Sequence, residues 1–223
     1  MHEAPWLLIP VKSLRCGKRR LETVLGGAER LRLNDFFLRR MLAVAASFPG
    51  LERTAIVSDA DDSLSLAANL GAGTVRTAQV ELNAALTDGR DDLRRRGAER
   101  IVMLPVDLPL IESSDISELA ALGGRHRVVI SPDRNGTGTN ALALHADVPF
   151  SFRFGAGSYR AHQTEARRCG VAPLLHENAG IAQDVDLPAD LSLVSGLSAA
   201  LHYKSGRTAE ASAWRLQRAG NKP

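Results

Sequence analysis

From Trp6 to Ser131 the chain alternates short, nearly unbroken apolar runs with longer segments in which apolar residues recur at helical spacing. Few architectures accept that pattern. Continuous apolar strands are buried on both faces, and helices between them serve as crossovers, so the alternation predicts a mainly parallel sheet with helices on both sides. The strands fall at 6–11, 54–58, 73–77, 100–106 and 127–131. Between residues 29 and 48, Phe37, Leu38, Met41, Leu42, Ala45 and Phe48 share one helical face, with Arg32, Arg39 and Arg40 mostly off it. Helices also fit 63–70, with Asp59 to Asp62 as caps, 82–96, where Gly89 weakens the middle, and 114–122. After Pro132 the pattern is less regular: a strand at 139–144, a helix at 158–169, a short strand at 173–176 and a final helix at 188–200.

A chain of 223 residues at 44% hydrophobic composition suits one such domain, assigned to residues 1–200. Residues 201–223 carry Lys204, Arg207, Arg215, Arg218 and Lys222 against Glu210 alone, so this segment makes the chain basic and the rest is close to neutral. It reads as a basic C-terminal tail, partly disordered. No basic stripe is interleaved with aromatics, which argues against nucleic acid as a partner. The apolar runs are strand-sized, which argues against a membrane span, and no secretory signal is visible. Cys16 and Cys169 are the two cysteines, far apart and without metal-ligand spacing, as in a reducing cytoplasm.

Ligands of such sheets sit outside the carboxyl ends of the strands, which is where the unusual residues fall. Directly after the first strand, residues 10–21 bring Lys12, Arg15, Lys18, Arg19 and Arg20 into one loop. That cation density suits a triphosphate, whose charge must be offset as pyrophosphate departs, and equally a solvated basic loop. It lacks the P-loop spacing. Asp107, between Leu104-Pro105-Val106 and Leu108-Pro109, is a well-held carboxylate of the kind that ligates a hard cation such as Mg²⁺. A second acidic cluster is Asp184-Val185-Asp186, where Asp186 is either a second metal carboxylate or a helix cap. Residues 131–142 hold Gly136, Thr137, Gly138 and Thr139, a loop able to wrap an anion or simply to turn. Finally, Phe154-Gly155-Ala156-Gly157-Ser158 leads into a helix, where glycines and a serine form an anion site through free N–H groups, or Ser158 is an ordinary N-cap. Nothing in the spacing of His162 makes it a ligand or a base.

These segments, in this order, resemble the 2-phospho-L-lactate guanylyltransferase family of coenzyme F-420 biosynthesis, which includes enzymes for phosphoenolpyruvate and 3-phospho-D-glycerate. The resemblance rests on Pro10 to Lys12, Lys18 to Leu21, Asp107 to Pro109, Asp133 to Leu142, Phe154 to Ser158 and Asp184 to Asp186, and spans roughly residues 5 to 195. It implies a Rossmann-like domain of the nucleotide-diphospho-sugar transferase type that uses Mg²⁺ and GTP. By motif, Asp107 and Asp186 resemble the metal carboxylates. Thr139, Gly155 and Ser158 resemble the clamp for the phospho-acid, and Lys12 and Lys18 the triphosphate contacts that act in catalysis with Asp107. Asn83 resembles a residue near the nucleotide base. Glu81, Asn135 and Ala156 depart from the family pattern. The implied product is an activated diphosphate, which suggests hand-over to a deazaflavin transferase. Two other readings compete: a molybdopterin or sugar-phosphate nucleotidyltransferase of the same fold, disfavoured because Pro10-Val11-Lys12 stands where those carry a glycine-rich loop, and a non-catalytic nucleotide-binding module.

Overall fold

A computed structural model describes residues 4–194. Its centre is a seven-stranded sheet formed by β1 (Trp6–Pro10), β2 (Thr54–Ser58), β3 (Gly73–Arg76), β4 (Arg100–Met103), β5 (Val128–Pro132), β6 (Thr139–His145) and β7 (Leu174–Leu175), in the order β3-β2-β1-β4-β6-β5-β7. All neighbouring pairs are parallel except those of β6, which runs antiparallel to both β4 and β5. This one reversal matters for the site. It brings the amino end of β6, Thr139 and Asn140, to the same sheet edge as the carboxyl ends of β1 and β4.

Alternation along β1 divides the core. Leu7 and Ile9 face a layer built from α1 (Gly27–Ser47), α2 (Asp61–Asn69) and α4 (Ser113–Gly123), whereas Leu8 faces α3 (Leu82–Arg95) and α5 (Ser158–Arg168). Helices therefore cover both faces. Gly89 does not interrupt α3. A Cβ there would lie 2.8 Å from Leu8 Cδ1 and 3.3 Å from Val57 Cβ, so the glycine is where the helix backbone approaches the sheet.

Several boundaries differ from the sequence reading. Helix α2 begins at Asp61 after Ala60, an N-cap with no side-chain cap bond, so the expected acidic cap is corrected: Asp62, inside the first turn, accepts from Ser13 Oγ (2.9 Å) and the Leu14 amide (3.1 Å). Strand β4 ends at Met103, and Asp107 lies four residues later in a loop. The segment placed in a helix at 188–200 opens as a 3-10 turn, Pro188–Leu191, preceded by the short α6 (Ala179–Ala182). Residues 195–200 and the basic tail lie outside the described residues. No helix among the described residues is long and apolar enough to cross a membrane.

Candidate active site

The basic loop after β1 is pinned from below. Asn34 of α1, buried, donates to the Leu14 carbonyl at 2.7 Å, and Ser63 Oγ donates to the Lys12 carbonyl at 2.7 Å. A separate apolar cluster of Leu21, Leu25, Leu33, Phe37, Val185 and Val194 packs the end of this loop against the acidic segment near residue 185. Lys18 is the one described non-glycine residue in the left-handed region, with φ 58°, a conformation that functional turns often carry.

That turn buries the Lys18 side chain, 8% exposed, and aims its ammonium between two carboxylates. It pairs with Asp107 and lies 3.2 Å from Asp186 Oδ1. Burial works to lower the Lys18 pKa, but Asp107 and then Asp186 outweigh it and the net shift is upward, so the side chain stays charged. Arg20 Nη1 reaches Asp186 Oδ2 at 3.0 Å from the solvent side. The loop carrying Asp107 is fixed by Arg40, whose guanidinium donates to the carbonyls of Pro109 (2.7 Å) and Ile111 (2.9 Å). The Val185 amide donates to the Asp107 carbonyl at 3.2 Å and so joins the two acidic segments. Asp186 is not a helix cap. Asp190 takes that role, accepting the amides of Asp186 (2.9 Å) and Leu187 (2.7 Å) while pairing with Arg134 at 2.7 Å.

Asp184 adds a third carboxylate, named in the sequence only as a member of the acidic cluster and given no role there. Its pKa is raised by burial and then by Asp107 and Asp186, the sign of an acidic cluster. Asn140 of β6 holds this segment through the carbonyls of Ile181 (3.0 Å) and Ala182 (3.3 Å). Among the described residues no three metal-ligating side chains form a ready cage. Carboxylate oxygens are hard donors that suit Mg²⁺, which is usually held by one or two carboxylates with phosphate oxygens and water completing its shell.

The segment before α5 lines the same cleft as the carboxylates. Gly157, at φ 71°, is the N-cap, and Ser158 is the first helical residue, buried and without a capping bond, so the N-cap reading of Ser158 is corrected. The Ser158 and Tyr159 amides donate to the carbonyls of Gly155 and Thr137, both at 3.1 Å. This turn lines the cleft with Ser158 and with Gly155, where φ is 130°. The loop between β5 and β6 is a turn built on Asp133, whose carboxylate accepts the Thr137 amide at 2.8 Å.

Asn83, in the first turn of α3, spends both ends of its amide on one backbone residue. It accepts the Phe154 N–H at 2.7 Å and donates to the Phe154 carbonyl at 3.1 Å. It thus holds the Gly155 segment in place. Thr139 Oγ1 lies 2.9 Å from Nδ1 of His162, a fully buried residue that sequence spacing did not mark.

Asp107, Asp184, Asp186, Thr139, Gly155 and Ser158 together line a single cleft of about 530 Å³, with Arg20, Leu82, Leu86, Met103 and Leu104 among its walls. Lys18 lies behind its acids. Lys12 is exposed past the carboxyl end of β1 and does not line the cleft, nor does Asn83.

A family model described as "Guanylyl transferase CofC like" matches residues 6–200. The chain belongs to this family. It is 39% identical over 201 residues to a phosphoenolpyruvate guanylyltransferase of Rubrobacter xylanophilus, covering 90% of this chain and 97% of that one. It is 34% identical to a phosphoenolpyruvate guanylyltransferase of Sphaerobacter thermophilus (85% and 91% covered) and 34% identical to a 3-phospho-D-glycerate guanylyltransferase of Phenylobacterium zucineum (78% and 81%). The fold resembles a protein assigned as a nucleotide-diphospho-sugar transferase from Desulfovibrio desulfuricans, with TM-score 0.70, 23% identity and 87% of each chain covered. It also resembles a nucleotidyl transferase from Methanothermobacter, with TM-score 0.62, 16% identity, and 90% and 100% covered. The chain is a nucleotidyltransferase of the guanylyl transferase family, built as a Rossmann-like domain of the nucleotide-diphospho-sugar transferase type.

Proposed function

We propose that this enzyme transfers GMP from GTP to the phosphate of a three-carbon phospho-acid and releases pyrophosphate, as a step of coenzyme F-420 biosynthesis. Phosphoenolpyruvate is the first candidate acceptor, because relatives at 39% and 34% identity carry that name. 3-Phospho-D-glycerate and 2-phospho-L-lactate are the others. The observation that carries the reading is the cleft itself, where Thr139, Gly155 and Ser158 share one lining with Asp107, Asp184 and Asp186, and Lys18 pairs with Asp107 and Asp186.

The chemistry needs no protein base. A phosphate monoester has its second pKa near ~6 and is largely dianionic at neutral pH. One of its oxygens forms a bond to the α-phosphorus of GTP as the bond from that phosphorus to the β-bridging oxygen breaks, and the electron pair leaves with pyrophosphate. The protein has to align two anions and shield their repulsion. Thr139 and Ser158 hold the acceptor, and Arg20 and Lys12 supply positive charge towards the nucleotide. Leu82, Leu86 and Met103 offer an apolar wall to the base and exclude water. Asp107 and Asp186 would hold Mg²⁺, which when bound polarises phosphate oxygens and offsets charge on the leaving group.

The deciding experiment measures pyrophosphate release from GTP with each phospho-acid in turn, alongside a molybdopterin and a sugar phosphate. Release dependent on one of the three phospho-acids is expected. Release only with the other acceptors, or with none, would overturn the assignment. Product handed to a deazaflavin acceptor in a coupled assay would support the pathway.

A further inference from the structure

The His162 ring is fully buried, with ring centroids 4.7 Å from Phe154 and 5.6 Å from Phe150. Its Nε2 accepts the Arg153 backbone N–H at 2.9 Å. A neutral imidazole carries one N–H and one bare nitrogen, so a ring that accepts at Nε2 holds its proton at Nδ1. Nδ1 faces Thr139 Oγ1 at 2.9 Å, and the bond there runs from His162 to the hydroxyl. One lone pair of Thr139 is thereby occupied, and the hydroxyl proton must point away from the ring. Thr139 lines the cleft.

We infer that His162 is a positioning residue: by donating to Thr139 it fixes that hydroxyl as a hydrogen-bond donor into the cleft, and so selects an anionic oxygen of the acceptor. An unrestrained threonine hydroxyl can rotate and present a lone pair, which would repel a phosphate or carboxylate. With Nδ1–H on its oxygen, Thr139 meets an anion already oriented, and the cost of ordering the hydroxyl on binding falls. Burial supports the arrangement by lowering the pKa of the ring to about 4, with Glu165 opposing and Arg153 adding to the shift, so one neutral tautomer persists at neutral pH. The inference rests on the phospho-acid reading above, because it gives the anion that Thr139 meets.

Two substitutions separate this role from a merely structural one. The amide nitrogen of asparagine stands near Nδ1 of a histidine, and the amide group of glutamine near Nε2. His162→Asn therefore retains a donor for Thr139 and gives up the Arg153 contact, whereas His162→Gln does the reverse. With the full chain, His162→Gln is expected to raise KM for the phospho-acid about tenfold with KM for GTP within about twofold, and His162→Asn to stay within about threefold of the parent. Thr139→Val should match His162→Gln, and the double variant Thr139→Val/His162→Gln should be no worse than Thr139→Val alone. Gln behaving as the parent while Asn fails, or additive effects in the double variant, would overturn the inference. Nitrogen NMR of the histidine-labelled parent gives a reading that needs no variant to fold. The His162 proton is expected on Nδ1, with its signal shifting on addition of phosphoenolpyruvate. A proton on Nε2, or an unmoved Nδ1–H at saturating acceptor, would sink the idea. If the parent releases no pyrophosphate with any phospho-acid, the proposed function has failed and this inference with it. If it does but Asn and Gln do not differ, only this inference has failed.

Discussion

The ammonium of Lys18 lies 3.2 Å from Asp186 Oδ1, 168 residues further along the chain, while the same group pairs with Asp107. One buried cation thus ties the loop after β1 to both acidic segments. Asp107→Asn leaves size and shape unchanged but removes a charge from the pair and from any metal bound there. It is expected to fold, and to lose turnover by at least about 100-fold. Lys18→Met is different in kind. It leaves Asp107, Asp184 and Asp186 facing one another, and should cost about 3 kcal/mol of stability as well as activity. Urea unfolding and pyrophosphate release, measured on both variants, check this. A stable, fully active Asp107→Asn enzyme would remove the metal assignment.

Asn83 offers a sharper division between two readings. Its motif resemblance suggests a residue near the base, yet its amide is engaged twice with Phe154. If the clamp is its main task, Asn83→Ala frees the segment carrying Gly155, and KM for the phospho-acid should rise several-fold more than KM for GTP. Stability should fall by about 1–3 kcal/mol, the cost of leaving a backbone donor and acceptor without partners. A rise confined to GTP would favour the base contact instead.

The layered α/β architecture was legible because its strands are short apolar runs and its helices amphipathic, as in α1 and β1. The direction of β6 was not, since period-two alternation is the same in either direction and only the sheet decides it. Asp107 and Asp186 were visible as acids in unusual places. Their meeting around Lys18 was not, because nothing local encodes a contact across 89 or 168 residues. Asp190 shows the same limit: it caps the turn for which Asp186 was the sequence candidate. His162 sent no signal at all, since its partners come from residue 139 on a strand and residue 153 in a loop.

Acid should weaken the fold in two stages. In the unfolded chain His162 takes up a proton below about pH 6.5, whereas burial delays this to about 4 in the folded state. Between those values the unfolded state binds more protons, so stability falls as pH drops through that window, by about 3 kcal/mol in all. Glu165 acts lower. The hydrogen bond from Arg168 leads the shift of its pKa from 4.5 to about 2, burial opposes it, and the Ser151 amide adds to it. Its stabilisation is present above pH 4.5 and lost as pH falls towards 2. Urea midpoints across pH 7 to 3 should show the first loss in the parent and a smaller one in His162→Gln. A flat parent profile between 6.5 and 4.5 would contradict the burial argument.

The contacts to the phospho-acid and to the nucleotide should separate by substrate. Ser158 is buried at the start of α5 and lines the cleft, and its own amide is already bonded to Gly155. Removing its hydroxyl deletes one neutral donor to a charged group, worth about 1.5–3 kcal/mol where the contact is direct, or roughly 10- to 100-fold in KM for the phospho-acid. Ser158→Ala should therefore raise that KM and leave KM for GTP within about twofold of the parent. Lys12 is exposed and outside the cleft lining, so its reach to a triphosphate would be through a long, solvated side chain. Lys12→Ala should raise KM for GTP by about fivefold and leave the phospho-acid unaffected, the modest size reflecting solvent screening of an exposed cation. A general folding defect would move both constants together. If Ser158→Ala changes neither, the turn before α5 only starts a helix, and Ser158 is removed from the acceptor contacts.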